Sequence, residues 1–221
     1  MLTLHYLSDS RAQRIAWLLE ETGVEYELKV HPRMDNGLAP PVFRRLHPLG
    51  KAPLLQDGEL TLAESAHIVE HIIDRCAPLL RPTTEQTELA RDYRYWMHFA
   101  EASFAPPLIV KHLFDVVRDR TPFFLRPITG LVPNMISKAY LDDTLERHAA
   151  FVDEHLRGRE FFVGDALSGA DIMMIFPCES AAARYGASKP GIRDYVARIH
   201  ARPAYGAAIE RCGVPYMYAQ T

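Results

Sequence analysis

The run Arg45-Leu46-His47-Pro48-Leu49-Gly50-Lys51-Ala52-Pro53-Leu54-Leu55 and, past a hairpin, Leu62-Ala63-Glu64-Ser65-Ala66-His67-Ile68 carry the groups best suited to gripping a short peptide. Pro53 restricts Ala52 to extended backbone. Backbone held that way offers the Ala52 N–H and C=O to a peptide, strand to strand. Glu64 and Ser65 stand where a helix is expected to begin, and a helix start gathers unpaired N–H groups and partial positive charge that can hold a free carboxylate. Glu64 can meet an ammonium group beside that carboxylate, so the peptide is gripped at both ends.

These groups need a scaffold, and the chain spells one out. Leu2, Leu4 and Tyr6 alternate with Thr3 and His5 as a half-buried strand does, until Ser8-Asp9-Ser10 interrupts the pattern. Ile15, Leu18 and Leu19 recur at helical spacing between Arg11 and Glu21, and Gly23 closes that helix. Tyr26, Leu28 and Val30 predict a second strand. A proline-rich stretch from Pro32 to Pro41 leads into Val42–Leu46, read as irregular or a short helix. Pro53–Gln56 and Glu59–Leu62 flank Asp57-Gly58, a dipeptide suited to a tight hairpin, and a helix over Ser65–Arg75 completes the unit. This order predicts a mixed sheet with helices on its faces, as in a thioredoxin-like domain. Beyond a proline-bearing linker the chain reads as all helical: Glu85 to Val117 with a kink or break at Pro106-Pro107, then Pro133–Leu156, Ala170–Tyr185, Gly191–Ile199 and Ala204–Glu210.

Composition narrows the function classes. A chain of 221 residues, 48% hydrophobic and 24% charged with a formal charge of -3, has the make-up of a soluble globular protein and lacks the basic excess that holds nucleic acid. Met1-Leu2-Thr3-Leu4-His5-Tyr6 lacks a basic, then apolar, leader, and no window is long and apolar enough to span a bilayer. The expected location is the cytoplasm, with no membrane partner. Cys76, Cys178 and Cys212 are odd in number and widely spaced, so they read as reduced thiols in or near cores. His67, His98 and His112 show no paired ligand spacing, and no metal is expected.

The motifs together resemble the cytosolic glutathione transferase superfamily over essentially the whole chain, with features of its serine-type, theta-like or related microbial classes. That family's Asn-Pro-x-Gly-Lys-Val-Pro is similar to His47-Pro48-Leu49-Gly50-Lys51-Ala52-Pro53, and its Glu-Ser pair to Glu64-Ser65. Ser168-Gly169-Ala170-Asp171 resembles its capping box in the core helix of the second domain, and Arg202-Pro203-Ala204-Tyr205 its Arg-Pro-aromatic region. The resemblance implies a thioredoxin-like glutathione-binding domain over 1–78, a linker over 79–84 and an all-helical domain over 85–221 that carries the electrophile pocket. It implies a homodimer, a cis bond between Ala52 and Pro53, and glutathione as cosubstrate. The expected activity is that of a glutathione S-transferase, activating the glutathione thiol for attack on an electrophilic small molecule. A lyase, isomerase, dehalogenase or peroxidase could use the same thiolate, and a binding or scaffold protein could use the same fold.

A free thiol has a pKa of about 8.5, so the thiolate must be stabilised near neutral pH. A hydroxyl donating to sulfur at a helix start would do this, and two hydroxyls compete. Ser10 resembles the serine of the family's Ser-x-Pro-x-Arg pattern, with Ala12 where proline is usual; its other reading is a capping box with Gln13. Tyr6 resembles the tyrosine of the tyrosine-type classes, after which the turn is one residue shorter here; its other reading is a core aromatic. No cysteine lies between Tyr6 and Arg14, which leaves cysteine-type chemistry without a nucleophile there. Lys51 could meet the glycine carboxylate of glutathione or stand solvated. Glu101 resembles an acid that reaches the partner subunit's glutathione, or is a plain exposed helix charge. Phe104, Leu108 and His112 are expected to line the electrophile pocket between the domains, and the aromatic tail Val214-Pro215-Tyr216-Met217-Tyr218 could fold over it or be unstructured.

Overall fold

Strand β1 (Leu2–Leu7) lies inside a four-stranded sheet of order β2-β1-β3-β4. It runs parallel to β2 (Tyr26–His31) and antiparallel to β3 (Leu54–Asp57), which turns through Gly58 into β4 (Leu60–Ala63). These relations come from a computed structural model that describes residues 1–213, with Ile128 described by its backbone alone; the tail from Val214 to Tyr218 falls outside the described residues. A parallel pair needs a crossover, and α1 (Ala12–Thr22) supplies it, ending at Gly23 in the left-handed conformation. The half-buried pattern expected for β1 is corrected. All six of its residues are buried, because the strand has neighbours on both edges and helices cover the sheet. Its polar side chains find partners instead of water: Thr3 donates to Glu27 at 3.2 Å, and the His5 ring lies 2.8 Å from Gln56 and 3.1 Å from His31. Val30, on the edge strand, is exposed.

Past β2 a short helix, α2 (Pro41–Leu46), precedes the Lys51–Pro53 segment, and α3 (Ser65–Cys76) follows β4. The helical half begins after a 3₁₀ turn at Pro78–Leu80. Its first rod is α4 (Thr87–Phe99), a π-helical turn over Ala100–Phe104, and α5 (Ala105–Arg120). Pro106 and Pro107 lie in the first turn of α5, where a missing N–H costs least; the backbone irregularity falls just before them. Two short helices, α6 (Arg126–Thr129) and α7 (Leu131–Ile136), lead through a second π-helical turn into α8 (Asp142–Leu156). α6 has no counterpart in the sequence-based reading. α9 (Gly169–Tyr185), α10 (Pro190–His200) and α11 (Pro203–Cys212) complete the fold.

α9 is the axis, buried from Gly169 through Ala181. A Cβ on Gly169 would lie 2.6 Å from the Tyr93 hydroxyl and 2.7 Å from Ile73, so only glycine lets α9 begin directly against α3 and α4. One apolar core runs from β1, α1 and α3 through α4 and α9 to α11. Ion pairs at its rim tie α1 to α11: Arg202 grips Glu21 at 2.6 and 2.9 Å, and Arg211 donates to Glu20 at 2.8 Å. Cys178 and Cys212 are buried as expected, whereas Cys76, on the last turn of α3, is exposed.

Candidate functional site

Lys51, Ala52, Pro53, Ala63, Glu64 and Ser65 line one hollow together with Arg11, His47 and Leu49, all from the first half of the chain. The Ala52–Pro53 bond is cis. Glu64 sits at φ 70° and ψ 126°, backbone that side-chain-bearing residues rarely adopt. That conformation turns the chain from β4 into α3, with Ile68 N–H donating to the Glu64 carbonyl at 3.0 Å. No side chain caps α3, so its first-turn N–H groups remain open beside the buried Ser65. Among the described residues, the Glu64 carboxylate, the Ser65 hydroxyl and the Lys51 ammonium make no hydrogen bond or ion pair. A carboxylate, an ammonium, a hydroxyl and a helix start thus face one concavity with their bonding capacity unused.

The loop after β1 leads to Arg11, which lines the hollow, while Ser10 beside it is not among the lining residues. Arg33 braces the loop by donating to the carbonyls of Ser8 at 2.9 Å and Asp9 at 2.8 Å, the latter at φ 53°. Ser10 is buried, and its Oγ accepts the Ala12 N–H at 3.3 Å. The expected capping box with Gln13 does not form. Arg11, not Ser10, occupies the cap position, and the Gln13 amide donates to the Tyr205 hydroxyl at 3.0 Å. Ser10 therefore uses one lone pair on the helix and retains its own proton for donation.

Tyr6, the second thiol-activating candidate, lies in the core. Its ring is fully buried, and burial, with Cys212 of α11 as a neighbour, pushes the phenol well above its ordinary pKa. It faces α11 and does not line the hollow. Phe104 and Leu108 are both closed inside the main core. His112, half-buried on α5, is not part of the hollow either. The crevice between the halves is lined instead by Arg11, Gln13, Arg14, Ile175, Phe176, Glu179 and Tyr205.

Glu101 is part-buried and is engaged within its own chain. Carried on the π-helical turn, it accepts from Arg11 and from Arg14 of its own chain. Arg14 is buried, donates also to the Met173 carbonyl at 2.9 Å, and lies 5.5 Å from the Phe176 ring centre. Burial lowers the Arg14 pKa, a shift that the Glu101 carboxylate opposes. Burial would raise Glu101, but Arg14 and Arg11 outweigh it and hold its pKa below the ordinary value of 4.5. This depressed value fixes the sign of a prediction: the contribution of Glu101 to stability is complete above pH 4.5 and is lost as pH falls through its folded-state pKa. We expect Glu101→Gln to lose about 2 kcal/mol near neutral pH and to converge on the parent in acid. Urea unfolding from pH 3 to 8 measures this; a gap that does not change with pH would reject it.

Motif matching did not single out Arg11, Arg33 or the Arg14–Glu101 pair. Arg14 was visible only as the last position of a pattern, and nothing nearby in the sequence announces its carboxylate partner. Among the described residues no group of three or more His, Cys, Asp or Glu side chains could hold a metal ion.

Residues 1–74 match the glutathione S-transferase N-terminal domain family and residues 121–203 its C-terminal domain family. The chain is 38% identical to glutathione S-transferase 3 of Schizosaccharomyces pombe, over 96% of this chain and 88% of that one. It is 32% identical to glutathione S-transferase 1 of Saccharomyces cerevisiae, over 96% and 95%. Among solved structures it is similar to a glutathione S-transferase from Actinobacillus pleuropneumoniae, with a TM-score of 0.80, 31% identity and coverage of 100% and 97%. A sphingomonad glutathione S-transferase complexed with glutathione shares the fold at a TM-score of 0.70 and 23% identity, over 96% of this chain and 100% of that one.

Proposed function

The chain belongs to the glutathione S-transferase family, and on that premise we propose that the hollow between Lys51 and Ser65 binds glutathione and delivers its thiolate to an electrophilic small molecule. The observation that carries this reading is the convergence of unpartnered Lys51, Glu64 and Ser65 on one concavity beside the extended Ala52 backbone. The Ser65 hydroxyl and the α3 N–H groups receive the γ-glutamyl carboxylate, and Glu64 receives its ammonium group. Ala52 pairs with the peptide backbone, and Lys51 meets the glycine carboxylate. Ser10 donates its free proton to the sulfur. Because Ser10 Oγ already accepts the Ala12 N–H, its own O–H is polarised and the better donor.

The electrophile approaches through the crevice at Arg11, Ile175 and Phe176, which shares Arg11 with the hollow. We place the enzyme in the cytoplasm as a homodimer, with exposed Tyr95 and Phe151 of α4 and α8 facing the partner subunit. The domain division at 78 and 84 belongs to the same proposal. An ultraviolet titration of bound glutathione tests the central step. A thiol pKa clearly below about 8.5 supports activation; an unshifted thiol means the tripeptide is held without being activated.

Glu64 offers a second test with opposed readouts. Its positive φ costs about 1 kcal/mol or more that glycine would not incur. Glu64→Gly is therefore expected to stabilise the fold by about 1 kcal/mol while weakening glutathione binding by about ten-fold through loss of the ammonium contact. Thermal unfolding and calorimetry on one preparation separate the two. Unchanged affinity would remove Glu64 from the site.

A further inference from the structure

The segment joining α5 to α8 contributes no residue to the hollow or to the crevice beside it, and it presents a face of its own. Eight large apolar side chains between residues 123 and 140 are exposed, among them Phe123 at 80%, Met135 at 69%, and Phe124 and Tyr140 at 65%. Single exposed apolar residues are ordinary, but a cluster of this size marks an interaction surface. Phe123 and Phe124 stand edge to face in the turn between α5 and α6, rings 5.6 Å apart. Leu131, Val132 and Met135 share one side of α7.

The charge on this face is one-sided. Between Asp119 and Asp142 the sequence has no acidic residue. Asp119 itself pairs with Arg118 at 3.0 Å. Arg120, Arg126 and Lys138 are exposed, and among the described residues none of them is in an ion pair. Beside Phe123 lies a cleft of about 490 Å³ whose lining holds Asp115, paired with Arg118 and Arg184, and Arg126, which among the described residues is in no ion pair and faces any anionic headgroup there. The surface calls for an occupant that is apolar within and negative at its boundary.

We propose that the face formed by residues 120–140 docks on an anionic lipid surface, with Phe123 and Phe124 entering the headgroup boundary and Arg120, Arg126 and Lys138 meeting lipid phosphates and carboxylates. A second copy of the chain fits less well. A two-fold contact would set the same cations against themselves, and like charges brought together oppose association. A lipid surface satisfies both the apolar and the basic groups. No described helix is long and apolar enough to cross a membrane, and none needs to be. The apolar groups are spread over a turn and short helices that lie on one face, so no continuous run betrays them in the sequence.

Co-sedimentation of the full chain with vesicles tests this. Vesicles of phosphatidylcholine with roughly 30% phosphatidylserine are expected to bind about 100-fold better than phosphatidylcholine alone at low salt, from three cations near the surface. The preference should collapse at high ionic strength. The double variant Phe123→Ser/Phe124→Ser, in an exposed turn, should lose binding at least about ten-fold while keeping its helical circular dichroism and its transferase rate on soluble substrates. Failure to bind either vesicle overturns the proposal, and so does equal binding to both. Self-association seen by sedimentation velocity and abolished by the same double variant would also overturn it, because a second copy would then cover the face.

Discussion

Replacing Asp171 with alanine is expected to lower the unfolding free energy by about 4 kcal/mol, a large part of the margin of a typical domain. The carboxylate is fully buried at the start of α9 and gathers four donors: the N–H groups of Phe162 and Ser168 at 2.9 Å each, the Ser168 hydroxyl at 2.9 Å and the Tyr195 hydroxyl at 3.2 Å. Alanine leaves these donors facing a cavity inside the helix that organises both halves of the core. Asp171→Asn keeps the volume and one acceptor, so its loss should be about half as large. Burial pushes the carboxyl up to about 6 despite those donors. An acid raised in the fold contributes most in its protonated form. Its contribution is therefore complete below the ordinary value of 3.8 and declines as pH rises to about 6. The gap between the parent and Asp171→Asn should accordingly narrow across that window. Urea unfolding of both variants measures it, and a loss below about 1 kcal/mol for alanine would show that water or backbone rearrangement replaces the carboxylate.

How far the sequence could be read depended on the range over which each interaction acts. Ala52-Pro53, Glu64-Ser65 and Ser168-x-x-Asp171 are local devices: proline geometry, a helix start and a capping box each act within a few residues, and each was legible as a pattern. Arg14 and Glu101 are 87 residues apart and Arg11 and Glu101 are 90 apart, so no local pattern announced that Glu101 closes on its own subunit. The full burial of β1 was missed for a different reason. Alternation along a strand reports a half-buried edge or a one-sided sheet, whereas β1 is covered on both faces and paired on both edges. An apolar residue on a helix reads alike whether it faces a pocket or a core, and Phe104 and Leu108 lie buried in the core. The exposed apolar face over 123–140 lay hidden because its residues are dispersed among prolines and glycine, without the periodicity that marks a helix.

Ser10→Ala should raise the pKa of bound glutathione toward that of the free thiol and cut kcat/KM about 100-fold near pH 6.5, the scale seen when one preorganised donor to a developing anion is removed. The size of the effect must depend on pH. Where the solution is basic enough to ionise an unassisted thiol, stabilisation of the thiolate adds little to its population, so the deficit should shrink above about pH 9. Loss of a purely structural hydroxyl would lower the rate equally at all pH values through a smaller folded fraction. Tyr6→Phe is the matched control. Its phenol is closed inside the core beside Cys212, so its removal should change stability modestly and leave the pH–rate profile in place. If Tyr6→Phe instead shifted the profile while Ser10→Ala did not, the thiolate would have to sit on the β1 side of the loop, and the approach of glutathione along Ala52 would have to be redrawn. A shift in both variants would mean that burial of Tyr6 is relieved when glutathione binds, with α11 moving away from β1. A shift in Ser10→Ala alone places the sulfur at the start of α1, beside Arg11, where the hollow and the crevice between the two halves meet.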